Sequence, residues 1–119
     1  MKKVFLFAVN GVIHCFRNEL NFRIQVVAAL IAVLLGFIFN INQTEWLVII
    51  LCCIIVLALE LINTAIENLC DLVSKDFHPV IKIVKDTAAG AVLVSAAGAA
   101  VAGAVIFVPL IIHQIKILL

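Results

Sequence analysis

The chain has 119 residues, 66% of them hydrophobic and 13% charged, with a mean hydropathy of +1.34. A soluble chain this small cannot hide so much apolar surface in its own core, so an ordinary soluble enzyme, a disordered segment and a disulfide scaffold are excluded. Net charge is +1, which excludes a general polyanion binder. Lipid is the simplest cover for the apolar surface.

The elements follow in chain order. Lys2 and Lys3 precede a few apolar residues, but Asn10, His14 and Arg17 interrupt them and no small-residue cleavage site follows. The start therefore does not read as a signal peptide. Lys3, Asn10, His14 and Arg17 share one narrow helical face, and Phe5, Leu6, Val9, Val12, Ile13 and Phe16 cover the rest. That pattern predicts an amphipathic surface helix over about residues 4–20, either lying in the membrane interface or packed on the other helices.

Val26 to Phe39 is uncharged; extended to Ile24 and Ile41 it gives a first span over about 24–41. Asn40 to Glu45 is a polar hairpin loop, with Thr44 expected to cap the next helix and Trp46 to anchor it at the interface. A second span over about 46–66 must continue past Glu60. Ser74 to Pro79 is the second connection, with Pro79 in the first turn of a new helix. Thr87 to Ile112 carries no formal charge and makes a third span over about 87–112, which Pro109 is expected to kink or end. The whole of 1–119 then reads as a single membrane domain.

Lys2, Lys3, Arg17, Arg23, Lys75, Lys82 and Lys85 fall on one side of these spans and only Lys116 on the other. The positive-inside rule places the amino terminus and second loop in the cytoplasm and the carboxyl terminus outside. Small residues crowd the third span. Gly98 and Ala102, like Ala99 and Gly103, form small-xxx-small pairs that allow close helix contact, within one chain or between copies.

The chemistry concentrates in Glu60-Leu-Ile-Asn63-Thr64-Ala65-Ile66-Glu67-Asn-Leu-Cys70-Asp71. At about 100° per residue, Glu60, Asn63, Glu67 and Asp71 share an arc of about 80° over about 16 Å of helix. Acids inside or near the hydrocarbon edge normally face a bundle interior and serve a site. Glu19 precedes the first span, as a site carboxylate or as an interfacial partner of Arg23. Lys85-Asp86 precedes the third span, and Lys85 is either a phosphate contact or a topology-setting charge. Carboxylates suit Mg²⁺, which keeps waters and takes substrate phosphates, and lysine suits phosphate as a point charge. Spacing alone thus supports a membrane-edge site for a divalent cation and an anion. It does not establish the chemistry: a small transporter or proton/cation-translocating subunit stays open on these residues, while the clustered acids argue against an inactive assembly protein. The far halves of the spans lack acids, which disfavours a relay.

Cys15, Cys52, Cys53 and Cys70 form no C-x-x-C pair and read as free, apolar thiols. His14, His78 and His113 do not cluster, and no standard nucleotide-binding glycine loop occurs.

The Glu60 to Asp71 segment closely resembles the signature of the prokaryotic diacylglycerol kinase family, which includes undecaprenol kinases. Asn18-Glu19 with Asn21-Phe22-Arg23, Phe77-His78-Pro79, and Lys85-Asp86 through Gly90 resemble its other motifs. The pattern departs at Cys70, where valine is expected. His78-Pro79 and the run Ala88 to Leu93 look more like the undecaprenol kinase branch.

The resemblance implies an all-α integral-membrane homotrimer with a surface helix, three transmembrane helices and active sites shared between subunits. It implies Mg²⁺ and ATP, with a lipid alcohol as acceptor: diacylglycerol, giving phosphatidic acid, or undecaprenol, giving undecaprenyl phosphate. By resemblance Glu60 is the general base, Glu19 and Glu67 are metal ligands, and Lys85 is the phosphate contact. Asn63, Asp71 and Asp86 are nucleotide-side or supporting residues, and Glu19 also lies on the nucleotide side.

Overall fold

The computed structural model describes all 119 residues as four helices and no strand: α1 (Lys2–Asn18), α2 (Leu20–Ile38), α3 (Gln43–Val73) and α4 (Pro79–Leu118). The last three are long and apolar enough to cross a membrane. Of the most apolar stretch of α2 and of α4, only 11% is buried within the protomer. Leu30, Phe37 and Val94 are exposed. Water is a poor solvent for such faces, so lipid or further apolar surface must cover them. The molecule measures 59 × 38 × 22 Å. Its longest dimension exceeds the roughly 30 Å of bilayer hydrocarbon, leaving helix ends to project into the headgroup layers.

α1 ends at Asn18, where the surface helix was expected to continue to about residue 20. Glu19 is extended (φ −115°, ψ 111°) and serves both helices: it follows α1 and starts α2. Its N–H donates to the Cys15 carbonyl at 2.9 Å, and its own carbonyl accepts from the Arg23 N–H at 3.2 Å. One extended residue thus turns the chain while both helix ends keep their hydrogen bonds.

The hairpin between α2 and α3 corrects two expectations. α2 stops at Ile38 rather than near 41, because Asn40 takes a left-handed conformation (φ 50°). The Ile41 N–H then reaches the Gly36 carbonyl at 3.2 Å and the Asn40 N–H reaches the Phe37 carbonyl at 3.3 Å. This is a Schellman ending with asparagine in place of the usual glycine. The cap of α3 is Asn42, not Thr44. The Asn42 side chain accepts from the Glu45 N–H at 2.9 Å, and the Glu45 side chain accepts from the Asn42 N–H at 3.1 Å. That reciprocal box satisfies two donors at once and puts a carboxylate at the positive end of the helix.

The Trp46 ring lies across Gly36 and 4.9 Å from the Phe37 ring. A Cβ on Gly36 would sit 2.7 Å from Trp46 Cη2 and 3.1 Å from Ile41 Cδ1. Gly36→Ala should therefore destabilise the hairpin by about 1–3 kcal/mol, the usual cost of overpacking. Thermal unfolding in detergent would show a lowered midpoint; an unchanged midpoint would mean that the indole moves aside freely.

Beneath this hairpin Ile41, Ile49, Ile106 and Phe107 form the main apolar cluster, joining it to α3 and α4. At the opposite end His78 caps α4, its Nδ1 accepting from the Val80 N–H at 3.1 Å, with Pro79 in the first turn as expected. Pro109 does not end α4, which runs on to Leu118. Proline removes one N–H donor, but the neighbouring backbone groups in an apolar segment have no better partners than the helix itself.

Candidate active site

α3 buries a polar face. Glu60 is 4% exposed, Thr64 6% and Asn63 9%, and Glu67 one turn further on is half-buried. The Asn63 amide Nδ2 donates to Glu67 Oε1 at 3.2 Å. The Asn63 Oδ1 is buried with no partner. A buried acceptor without a donor is costly, and native sites that tolerate one commonly reserve it for a ligand, ion or water.

Glu19 comes to this face from the α1–α2 break. Both Glu67 and Glu19 lie near enough to press their negative charge on Glu60. Glu19 is half-buried and belongs to neither ion pair of the protomer. The pairing with Arg23 that the sequence allowed does not form; the Arg23 guanidinium donates instead to the Arg17 carbonyl at 3.5 Å. Three carboxylates and an unpartnered amide oxygen therefore share one neighbourhood, and none of the three carboxylates is in an ion pair.

The positive charge stands one step further toward the α3–α4 connection. Lys85 Nζ donates to Asp71 Oδ1 at 2.6 Å and also feels the charge of Glu67. Lys85 lies ahead of the apolar run of α4, and the hydrogen bond to Asp71 holds its ammonium above the ordinary lysine range. Asp86 is exposed and pairs with Lys82 along α4. Of the candidate residues, Glu19, Glu60, Asn63 and Glu67 are gathered together, Lys85 and Asp71 flank them as a pair, and Asp86 lies on an outer face.

No three of the protomer's His, Cys, Asp and Glu side chains converge tightly enough to hold a metal ion by themselves. Mg²⁺ does not require that: it usually binds one or two carboxylates and completes its shell with water and substrate phosphate. Oxygen-only donors, carboxylates outside any ion pair and the orphaned Asn63 Oδ1 fit such an ion.

On the membrane side of this face, an apolar cavity of about 330 Å³ lies between α2, α3 and α4. Ala29, Ala32, Val56, Ala96, Ala100 and Gly103 are among its walls. Val56 stands one helical turn from Glu60, so the cavity begins where the acidic face ends. The small residues of α4 leave this space open.

Two buried residues had been given no role in the site by the sequence. Cys15 Sγ and Thr64 Oγ1 meet at 3.5 Å across 49 positions. Thr64 lies within the signature segment, whereas nothing in the spacing of Cys15 set it apart from the other cysteines. All four are free thiols, as expected.

Three apolar helices carrying one buried acidic face define a small, all-helical membrane protein with an ionisable site. Residues 6–107 match the sequence model for Prokaryotic diacylglycerol kinase, and the chain belongs to that family. It is a multi-pass membrane lipid kinase, and its reaction requires a lipid substrate and a nucleotide phosphoryl donor.

Among its relatives is the undecaprenol kinase of Bacillus subtilis (strain 168), 39% identical over 107 residues, covering 90% of this chain and 87% of that protein. A diacylglycerol kinase of Synechocystis sp. is 35% identical over 106 residues, covering 88% of this chain and 61% of that protein. A diacylglycerol kinase of Helicobacter pylori (strain J99) is 33% identical over 92 residues, covering 77% and 72%.

Proposed function

We propose that this protein transfers the γ-phosphoryl group of ATP, with Mg²⁺, to the hydroxyl of undecaprenol at the cytoplasmic edge of the membrane. The observation that carries the reading is the buried Glu60 carboxylate, set between the acidic cluster and the apolar cavity. A lipid whose tail enters that cavity would bring its hydroxyl to the level of Glu60. The undecaprenol kinase of Bacillus subtilis, similar over most of both chains, supports the choice of acceptor; diacylglycerol is the competing one.

Glu60 accepts the hydroxyl proton as the lipid oxygen attacks the γ-phosphorus. The bond from that phosphorus to the bridging oxygen breaks, ADP leaves, and the lipid becomes a phosphate monoester. Glu19 and Glu67 would hold Mg²⁺, which when bound neutralises charge on the phosphates. Asn63 keeps Glu67 oriented through its amide and presents its free Oδ1 to the same space. Lys85 offsets phosphate charge, and Asp71 steadies the lysine until nucleotide competes for it. Asp86 supports the nucleotide side. Such transfer depends mainly on positioning and charge neutralisation, which these residues supply.

The charge asymmetry of the loops supports a cytoplasmic amino terminus and an external carboxyl terminus, with the site facing the cytoplasm and α1 lying at the interface. A homotrimer is supported by the uncovered apolar faces of α2 and α4, which further copies of the chain would cover.

The test offers undecaprenol and diacylglycerol separately in mixed micelles containing Mg²⁺ and ATP labelled at the γ-phosphate. Label should pass to undecaprenol with a kcat/KM at least about tenfold above that for diacylglycerol, a difference of about 1.4 kcal/mol. Preferential labelling of diacylglycerol would overturn the choice of acceptor.

A further inference from the structure

Cys15 is the most enclosed side chain of the molecule, 2% exposed, and the one buried residue of α1. The rest of that helix is outward or half-covered, so its seat on the bundle depends heavily on this point. Two bonds meet there. The thiol contacts the Thr64 hydroxyl at 3.5 Å, and the Cys15 carbonyl accepts the Glu19 N–H at 2.9 Å. Thr64 itself is buried, next in sequence to Asn63 and between Glu60 and Glu67 on α3.

We propose that the Cys15–Thr64 contact is a clasp that sets Glu19 over the acidic face of α3, making Cys15 and Thr64 positioning residues for the cation–nucleotide site. The inference rests on the reading of Glu19 and Glu67 as cation ligands. α1 meets the signature helix only sparsely, and Glu19 stands one turn beyond the one side-chain hydrogen bond between them. With the clasp in place the extended backbone at Glu19 is fixed from its amino-terminal side. Without it, α1 shifts on its exposed seat and carries the Glu19 carboxylate with it. Partners that orient metal ligands in this way typically matter by about 10–100-fold in metal affinity.

The experiment uses the full chain in mixed micelles with Mn²⁺ as a paramagnetic stand-in for Mg²⁺ and a non-hydrolysable ATP analogue. Mn²⁺ binding is read by electron paramagnetic resonance, and KM for the lipid is measured in parallel with Mg²⁺. Cys15→Val and Thr64→Val keep bulk but remove the polar contact; Thr64→Ser keeps the hydroxyl, and Cys15→Ser replaces the thiol with a hydroxyl that can make the same contact. Both valine variants should weaken Mn²⁺ binding about tenfold or more, with KM for the lipid within about twofold. The serine variants should stay near wild type, which separates the clasp from a general loss of folding. The double valine variant should bind no worse than either single one, because the two residues act as one contact. Unchanged Mn²⁺ affinity in both valine variants, or serine variants as weak as the valine ones, would overturn the clasp. Glu19→Gln is measured alongside. If it alone weakens Mn²⁺ binding, the clasp falls and the ligand reading stands. If it leaves binding intact, the ligand reading falls and takes the clasp with it.

Discussion

Glu60→Gln lowers turnover by about 10²- to 10⁴-fold, the range expected when a general base is removed, while the protein stays folded. Glutamine has nearly the same shape, so the packing around a side chain only 4% exposed is kept. What is lost is the ability to take the proton from the lipid hydroxyl. Stability should hold or rise, because the substitution removes a buried acid pressed by the charges of Glu67 and Glu19. Nucleotide affinity should change little. The measurements are kcat at saturating lipid and Mg²⁺, and the thermal midpoint in the same detergent. Full turnover in a folded Glu60→Gln protein would remove Glu60 from the chemistry.

Glu67→Gln should act on the cation instead. Its side-chain oxygen can still accept from Asn63 Nδ2, so the local hydrogen bond survives. The anionic oxygen that a hard cation prefers does not. Changes to groups that merely orient metal ligands cost about 10–100-fold in metal affinity, so loss of a ligand should raise the half-saturating Mg²⁺ concentration at least about tenfold. Turnover measured against Mg²⁺ checks this, with recovery of part of the rate at high Mg²⁺. A variant with the wild-type Mg²⁺ requirement would show that Glu67 serves only to hold Asn63. The two substitutions therefore fail in different ways, one in rate and one in cation demand, although the residues lie two turns apart on one helix.

The long apolar runs made three helices legible in the sequence, because hydropathy reports directly on the solvent a segment tolerates. The acidic face of α3 was legible for a similar reason: helical periodicity alone puts Glu60, Asn63 and Glu67 together. The helix ends were harder. Asn42 and Thr44 are both good capping residues, and the choice depended on whether Glu45 could reach back to the cap, a matter of backbone geometry. The break at Glu19 carries no glycine or proline to announce it. Pro109 announces a break that the apolar surroundings overrule. Contacts between distant residues were least legible of all. Cys15 is unremarkable by its neighbours in sequence, and its place against Thr64 follows only from how α1 folds back on α3.

On the proposed mechanism the buried acidic face of α3 couples nucleotide to a lipid alcohol. The most direct measurement is ADP release by the purified protein in mixed micelles, with Mg²⁺ present or chelated and with undecaprenol, diacylglycerol or no lipid alcohol added. ADP release should require both Mg²⁺ and a lipid alcohol, with undecaprenol as the better acceptor. ADP release of equal rate without any lipid alcohol, or no release with either lipid from a folded protein that binds ATP, would contradict that mechanism.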